Sequence, residues 1–157
     1  MTYKFSLRGT RRGELRMGVN PFTAQSAMLP TFVMSDDERA VVLAVITRHG
    51  GAITAGAGAL VLAGAELLFE DLGGPRSRVS IEGAIEPAIA ILFEIASAGR
   101  LIVTNEHEKC DEPIPIVTTA EAQAQAIASE VEYDPPEIVT DIGRFLRVLL
   151  PGYDRVR

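Results

Sequence analysis

Most of the side chains able to do chemistry lie in one stretch, residues 105–112, which reads NEHEKCDE. It holds His107 and Cys110 in an H-x-x-C spacing, and the chain has only one other histidine, His49. Zinc takes about four protein ligands in a structural site, or about three and a water in a catalytic one. Only His49 and nearby carboxylates are left to complete such a set, so we expect no bound metal.

Cys110 is the single cysteine, so no intramolecular disulfide can form. A catalytic cysteine acts as a thiolate, which nearby positive charge stabilises. Four carboxylates surround Cys110 in the sequence instead: Glu106, Glu108, Asp111 and Glu112. Because they oppose ionisation of the thiol, we favour a protein that is not an enzyme. The alternative is a small enzyme or ligand-binding domain with its site around Glu106, His107 and Cys110.

Two glycine-rich pieces, residues 50–51 and 56–58, invite comparison with phosphate-binding loops. No lysine follows these glycines as a P-loop requires. Val61 stands where the dinucleotide pattern G-x-G-x-x-G needs its third glycine. The sequence therefore predicts no nucleotide and no other cofactor.

Arginines cluster at two places in the chain. Arg8, Arg11 and Arg12 lie around a predicted turn and form a candidate anion-binding group. A guanidinium binds a carboxylate or a phosphate through two parallel hydrogen bonds. Arg144 and Arg147 are three residues apart on the last predicted helix, so they share a face there. We expect that pair to form salt bridges with acidic residues of the same chain.

Acidic residues concentrate in the second half of the chain. Residues 101–137, called the acidic segment below, carry nine carboxylates and one lysine in a chain of net charge −6. An acidic protein repels phosphate backbones, so we expect no nucleic-acid partner. Acidic surfaces speed association with basic partners. The sequence therefore predicts a partner protein with a basic surface, bound through Glu106, Glu108, Asp111 and Glu112.

These observations favour one function class, a small acidic binding protein of the inhibitor or immunity type that is not an enzyme. No stretch without a charge or a histidine, residues 50–65 included, reaches the roughly 20 residues that span a bilayer. We therefore expect no membrane partner. A lone cysteine fits a reducing compartment, and we expect a cytoplasmic location. A homo-oligomer that packs through the Ala/Gly-rich residues 52–69 is a further alternative.

The length of 157 residues predicts a single globular domain over residues 1–157. Strands and helices follow each other without a regular βα rhythm. This order favours an α+β fold with a mixed sheet and helices packed mainly on one face. Alternating polarity over 2–8 and 15–19, with a glycine-bearing connection, predicts an N-terminal β-hairpin. Residues 22–30 are expected to be loop, and residues 31–34 a short third strand.

The clearest helix signal covers residues 35–49. Ser35 and Glu38 have the spacing of a capping box, in which each side chain bonds the other residue's backbone N–H. The two aspartates between them favour the positive end of the helix dipole. Helical spacing predicts one buried face for this helix: Val41, Val42, Val45 and Ile46.

Two further helices are predicted in the middle of the chain. Residues 52–69 are ambiguous between helix and strand, because Ala, Leu and Glu favour helix while three glycines weaken it. We expect a buried helix over residues 57–71. The next helix covers residues 86–98, where apolar residues recur at helical spacing and Gly99 supplies the stop.

The rest of the chain reads as short strands and two helices. Strands are predicted at 78–82, 101–103 and 114–117, and prolines push the last of these towards a sheet edge. A helix is expected from Thr118 or Thr119 to about residue 130. From residue 137 two alternatives stand, either one helix with Asp134 as its cap, or a strand over 137–139 and a helix after Thr140.

Overall fold

The computed structural model of the protein describes residues 2–9, 11–19, 26–106, 116–118 and 137–150, and for residues 12–19, 26–32 and 117 it describes the backbone only. Ten strands and three helices lie in this part of the chain. In chain order they are β1 (Thr2–Arg8), β2 (Arg11–Val19), β3 (Ser26–Val33), α1 (Asp36–Arg48), β4 (Ala52–Thr54), β5 (Ala57–Leu62), β6 (Ala65–Glu70), β7 (Arg78–Gly83), α2 (Ile85–Gly99), β8 (Ile102–Asn105), β9 (Ile116–Val117), β10 (Glu137–Ile138) and α3 (Ile142–Leu149).

Eight of the described strands form one sheet in the order β10-β9-β8-β1-β7-β6-β5-β4. Neighbouring strands run antiparallel except β9 and β10, which run parallel, so the sheet is mixed. The helices pack on one face of this sheet, called the core face. These features confirm the predicted α+β fold with a mixed sheet and helices on one face.

The N-terminal hairpin forms from other strands than those expected. The strand over 2–8 pairs with β7 and β8, near the centre of the sheet. β2 instead pairs with β3 in a separate two-stranded sheet. β3 begins at Ser26, so residues 26–30 are strand and not the expected loop. Alternating polarity identifies a strand, but it does not say which edge the strand joins.

The predicted helix over residues 57–71 is wrong, because this segment forms the hairpin β5–β6. Gly64 lies in the two-residue connection with φ +84°, a conformation that glycine adopts without steric cost. Leu60, Leu67 and Phe69 are buried on the core face and alternate with more exposed residues. Burial of alternate side chains outweighs the helix propensity of the segment.

The core face carries the apolar side chains of the central strands. Phe5 and Leu7 of β1 are fully buried there. On α1, Val42, Val45 and Ile46 are buried as predicted, whereas Val41 is 42% exposed. The helices also pack on each other. The remaining fully buried large side chains are Leu60, Leu67, Ile81, Ile89, Leu92, Ile95, Leu101, Phe69 and Phe145.

Several local predictions are confirmed. Ser35 caps α1, and the strand over 78–82 and the helix over 86–98 correspond to β7 and α2. Residues 101–103 fall at the start of β8. Gly99 is the last helical residue, and the turn out of α2 is made by Arg100 in the left-handed region with φ 53°.

The C-terminal part follows the second alternative. The described chain has a short strand at β10 and then α3, which begins after its cap residue Asp141. The Oδ1 atom of Asp141 accepts a hydrogen bond of 2.9 Å from the backbone N–H of Gly143. β9 pairs with both β8 and β10, so the prediction that it lies at the edge is wrong. The helix expected at 118–130 lies outside the described residues.

Candidate functional site

Glu106 is the first carboxylate of the acidic segment and follows β8 directly. Asn105 is buried, whereas Glu106 is exposed. The backbone N–H of Glu106 donates to the carbonyl oxygen of Lys4 at 2.8 Å, which continues the pairing of β8 with β1. The first predicted partner-binding carboxylate is therefore held at a defined place. Five predicted residues lie outside the described part of the chain: His107, Glu108, Cys110, Asp111 and Glu112.

Two residues of the acidic segment, Asn105 and Glu137, are joined to α3. The Asn105 amide Nδ2 donates to the carbonyl oxygen of Leu149 at 2.8 Å, in a buried position. At the other end, Arg144 forms a hydrogen-bonded ion pair with Glu137 of β10. The predicted intramolecular ion pair is thereby confirmed for Arg144. Asn105, near the start of the segment, and Glu137, at its end, are thus anchored on the same helix.

Arg8 lies at the end of β1, within the eight-stranded sheet, and its side chain is only partly exposed. Its Nη2 atom donates to the hydroxyl Oγ1 of Thr104 at 3.5 Å, which is a long contact. Its Nε atom is buried and has no acceptor in the part of the chain that the structure describes. Burial lowers the pKa of Arg8, and the charge of Glu106 acts against that shift.

The other two arginines of the predicted anion-binding group lie elsewhere. Arg11 begins β2 and is exposed. Arg12 follows it on the same strand, where the structure describes the backbone only. β2 belongs to the separate two-stranded sheet, whereas Arg8 belongs to the large one. Arg8 lies directly opposite Ile102 of β8, and Arg78 of β7 lies opposite Ser6, two residues before Arg8 on the same face.

The face of the sheet opposite the core face carries polar side chains, and we call it the polar face. Its members share the even-numbered positions of three adjacent strands, because side chains alternate between faces along a strand. The register aligns Ser80, Lys4 and Glu106 in one row across the strands. The neighbouring row on the same face holds Arg78, Ser6 and Thr104. The polar face is defined here by Lys4, Ser6, Arg8, Arg78, Ser80, Thr104 and Glu106.

His49 makes a contact on the helical side of the molecule. Its Nε2 lies 2.7 Å from Oε2 of Glu94, and the other carboxylate oxygen of Glu94 pairs with Arg48. This cluster joins the C-terminal end of α1 to the middle of α2. Among the described residues, no three His, Cys, Asp or Glu side chains come close enough together to hold a metal ion.

Sequence reasoning missed Ser6, Arg78 and Thr104 as neighbours of Arg8. Alternation along residues 2–8 already placed Lys4, Ser6 and Arg8 on one side of a strand. No signal in the sequence paired that strand with residues 78–83 and 102–105, because those pairings join positions more than 70 residues apart.

Comparisons with protein-family models, with curated protein sequences and with solved structures found no match to this chain. In the described part of the chain, no helix combines the length and the apolar character needed to cross a membrane. The case for a function therefore rests on the residues of this chain and on where they lie.

Proposed function

We propose that this protein is a small binding protein of the inhibitor or immunity type, without catalytic activity, that docks on a basic protein through its acidic segment. The partner contacts assigned to this segment are Glu106, Glu108, Asp111 and Glu112. The observation that carries the proposal is the position of Glu106, exposed directly after a buried strand and tied by its backbone to β1.

The distribution of charge supports a docking role. The acidic segment holds nine of the 21 carboxylates of the chain but only one of its 15 basic residues. Its net charge of −8 exceeds the −6 of the whole chain, so the remainder carries +2. A single-sign field on one part of a surface steers an oppositely charged partner and raises the association rate by about 10-fold or more at low salt.

The anchoring of the segment supports the same role. β8 lies near its start and its last residue, Glu137, begins β10, and α3 contacts both places through Asn105 and Arg144. Contacts that hold Asn105 and Glu137 in place reduce the conformational entropy that is lost on binding. We assign the activity to the cytoplasm, where a lone cysteine stays reduced.

The experiment begins with affinity capture from the native host, followed by association kinetics of the captured protein at about 0.05 M and 0.3 M salt. We expect the association rate to fall at high salt, because the Debye length shortens. The pair E106K/E108K and the pair D111K/E112K should each slow association several-fold and leave the circular dichroism spectrum unchanged.

The matched control is E66K/E82K, which changes the net charge by the same amount on β6 and β7. We expect its association rate to stay closer to that of the unmodified protein. A rate that does not depend on salt would remove the acidic segment from the interface. A control that slows association as much as the two test pairs would show that only total charge matters.

A further inference from the structure

Arg8 is a cation whose hydrogen-bonding capacity is only partly used within the described chain. Its Nη2 has one long contact, to Thr104 Oγ1 at 3.5 Å, and its buried Nε has no acceptor there. A buried charged donor without an acceptor destabilises the folded state, because water no longer solvates it. An acceptor that arrives from outside the chain would remove this cost. The position is therefore suited to an anion.

The strand register surrounds one buried hydroxyl with positive charge. Ser6 is 6% exposed and lies directly opposite Arg78 on β7 and Thr104 on β8. Lys4 and Arg8 lie two residues before and after Ser6 on β1, so both share its face. Three cations and two hydroxyls thus occupy neighbouring positions of the polar face.

Two carboxylates lie nearby, and both leave the cations accessible. Glu70 Oε2 is 3.7 Å from Nε of Arg78, with 63% of the glutamate side chain exposed. An exposed ion pair of this length is weak and exchanges readily with solvent or with another anion. Glu106 acts on Arg8 through its charge, yet its side chain is exposed at the end of β8.

We propose that Arg8, Arg78, Ser6 and Thr104 form an oxyanion-binding site on the polar face, and that its ligand is a phosphate group. The Nε and Nη2 atoms of Arg8 bind two phosphate oxygens, as a guanidinium edge does. The hydroxyls of Ser6 and Thr104 donate to a further oxygen. A carboxylate has no third oxygen, so these hydroxyls would have to share the two oxygens that the guanidinium binds. Thr104 belongs to the acidic segment, but none of the four proposed ligands is one of the proposed docking carboxylates.

The test measures the thermal midpoint Tm in inorganic phosphate against sodium chloride of equal ionic strength. We expect Tm to rise with phosphate concentration, because a ligand that binds only the folded state stabilises it. Arg8→Met keeps the apolar stem and removes the donors, and it should abolish the rise. Arg147→Met, on the exposed side of α3, is the matched control and should retain it.

Titration calorimetry with inorganic phosphate, phenyl phosphate and acetate defines the ligand. Binding of phenyl phosphate at least as tight as that of inorganic phosphate assigns a phosphomonoester, and tighter binding of inorganic phosphate assigns the free ion. Acetate should bind at least 10-fold more weakly than either. Equal binding of acetate would overturn the phosphate assignment.

Two further variants test the same site if Arg8→Met does not fold. Thr104→Val and Ser6→Ala remove one hydroxyl each at nearly unchanged volume, and each should weaken phosphate binding about 3-fold to 10-fold, the range of one lost hydrogen bond. A folded Arg8→Met protein should be at least as stable in chloride as the unmodified protein. The site is excluded if phosphate raises Tm no more than chloride does, or if the variants bind phosphate as the unmodified protein does.

Discussion

Ser35 and Glu38 begin α1 with two reciprocal hydrogen bonds. The hydroxyl Oγ of Ser35 accepts from the backbone N–H of Glu38 at 3.1 Å, and Oε1 of Glu38 accepts from the backbone N–H of Ser35 at 2.8 Å. Glu38 is almost fully buried. Two backbone donors at the end of the helix are thereby satisfied without water, which is what a buried helix start requires.

Removing the capping hydroxyl should lower stability measurably. We expect Ser35→Ala to reduce the free energy of unfolding by about 1 kcal/mol, the usual cost of losing such a cap. Urea denaturation checks the value. Ser35→Asp supplies a carboxylate oxygen at the same position and should retain most of the stability. An unchanged midpoint in Ser35→Ala would contradict the role of the cap.

Gly99 of α2 packs against Val42 of α1. A Cβ atom built on Gly99 would lie 2.6 Å from Cγ2 of Val42 and 3.1 Å from Cγ of Leu101. Val42 is fully buried and its branched side chain has little freedom to move. The glycine is therefore required by packing between the two helices, whereas the sequence suggested only a helix stop.

The substitution Gly99→Ala tests this packing. Helix propensity alone would make the variant more stable by about 1 kcal/mol. We expect the overlap with Val42 to dominate and the variant to lose about 1–3 kcal/mol, the usual cost of overpacking. Gly143→Ala near the start of α3 is the control, since its new Cβ would meet only atoms at 3.3 Å or beyond. It should be neutral or stabilising in the same thermal melt.

At the scale of elements, the pairing of β6 with β7 sets unlike and like charges side by side. Glu66 lies directly opposite Glu82, and Glu70 lies opposite Arg78. All four residues share the face opposite the core face, because they alternate with buried apolar residues. Opposite charges at such positions stabilise a sheet, and like charges destabilise it.

Charge reversal at two positions of β6 should therefore have opposite effects. Glu66→Lys places a lysine opposite Glu82, and we expect a gain of about 0.5 kcal/mol. Glu70→Lys places a lysine opposite Arg78 and should lose a similar amount. Both variants change the net charge equally. A difference in stability between them therefore depends on which residue lies opposite each substituted position. The measurement is the urea midpoint at low salt, and changes of the same sign in both variants would contradict the pairing.

At the scale of the whole molecule, β1 joins the two halves of the large sheet. One of its edges pairs with β7 and the other with β8, and these strands are separated in the chain by α2. Phe5 and Leu7 extend from it into the core beneath the helices. Unfolding of β1 would expose both sheet edges at once, so the molecule should unfold as one cooperative unit.

A truncation in the centre of β1 should therefore affect the whole fold. We expect Phe5→Ala to lower the free energy of unfolding by about 3–5 kcal/mol. That is a large part of the roughly 5–15 kcal/mol that a domain possesses. Val61→Ala is the control, because Val61 is 71% exposed. Circular dichroism and amide exchange in α2 and β6 should change together, and a loss confined to β1 would contradict cooperative unfolding.

The sequence predicted some residues of the candidate phosphate site but not their neighbours. Arg8 was a predicted anion ligand, and alternation placed Ser6 and Lys4 on its side of a strand. Arg11 and Arg12 were expected beside Arg8 because they are close to it in the sequence. The structure instead sets Arg78 and Thr104 beside Ser6, because the strand joins β7 and β8 rather than β2.

The sequence by itself determined the features that depend on residues within one or two turns of each other. The capping box at Ser35, the helix over 86–98 and the acidic segment belong to this group. Only the tertiary structure decided that residues 57–71 form a hairpin and that the N-terminal strand lies inside the sheet. Those outcomes depend on burying apolar side chains against elements far away in the chain, and local propensity carries no information about such partners.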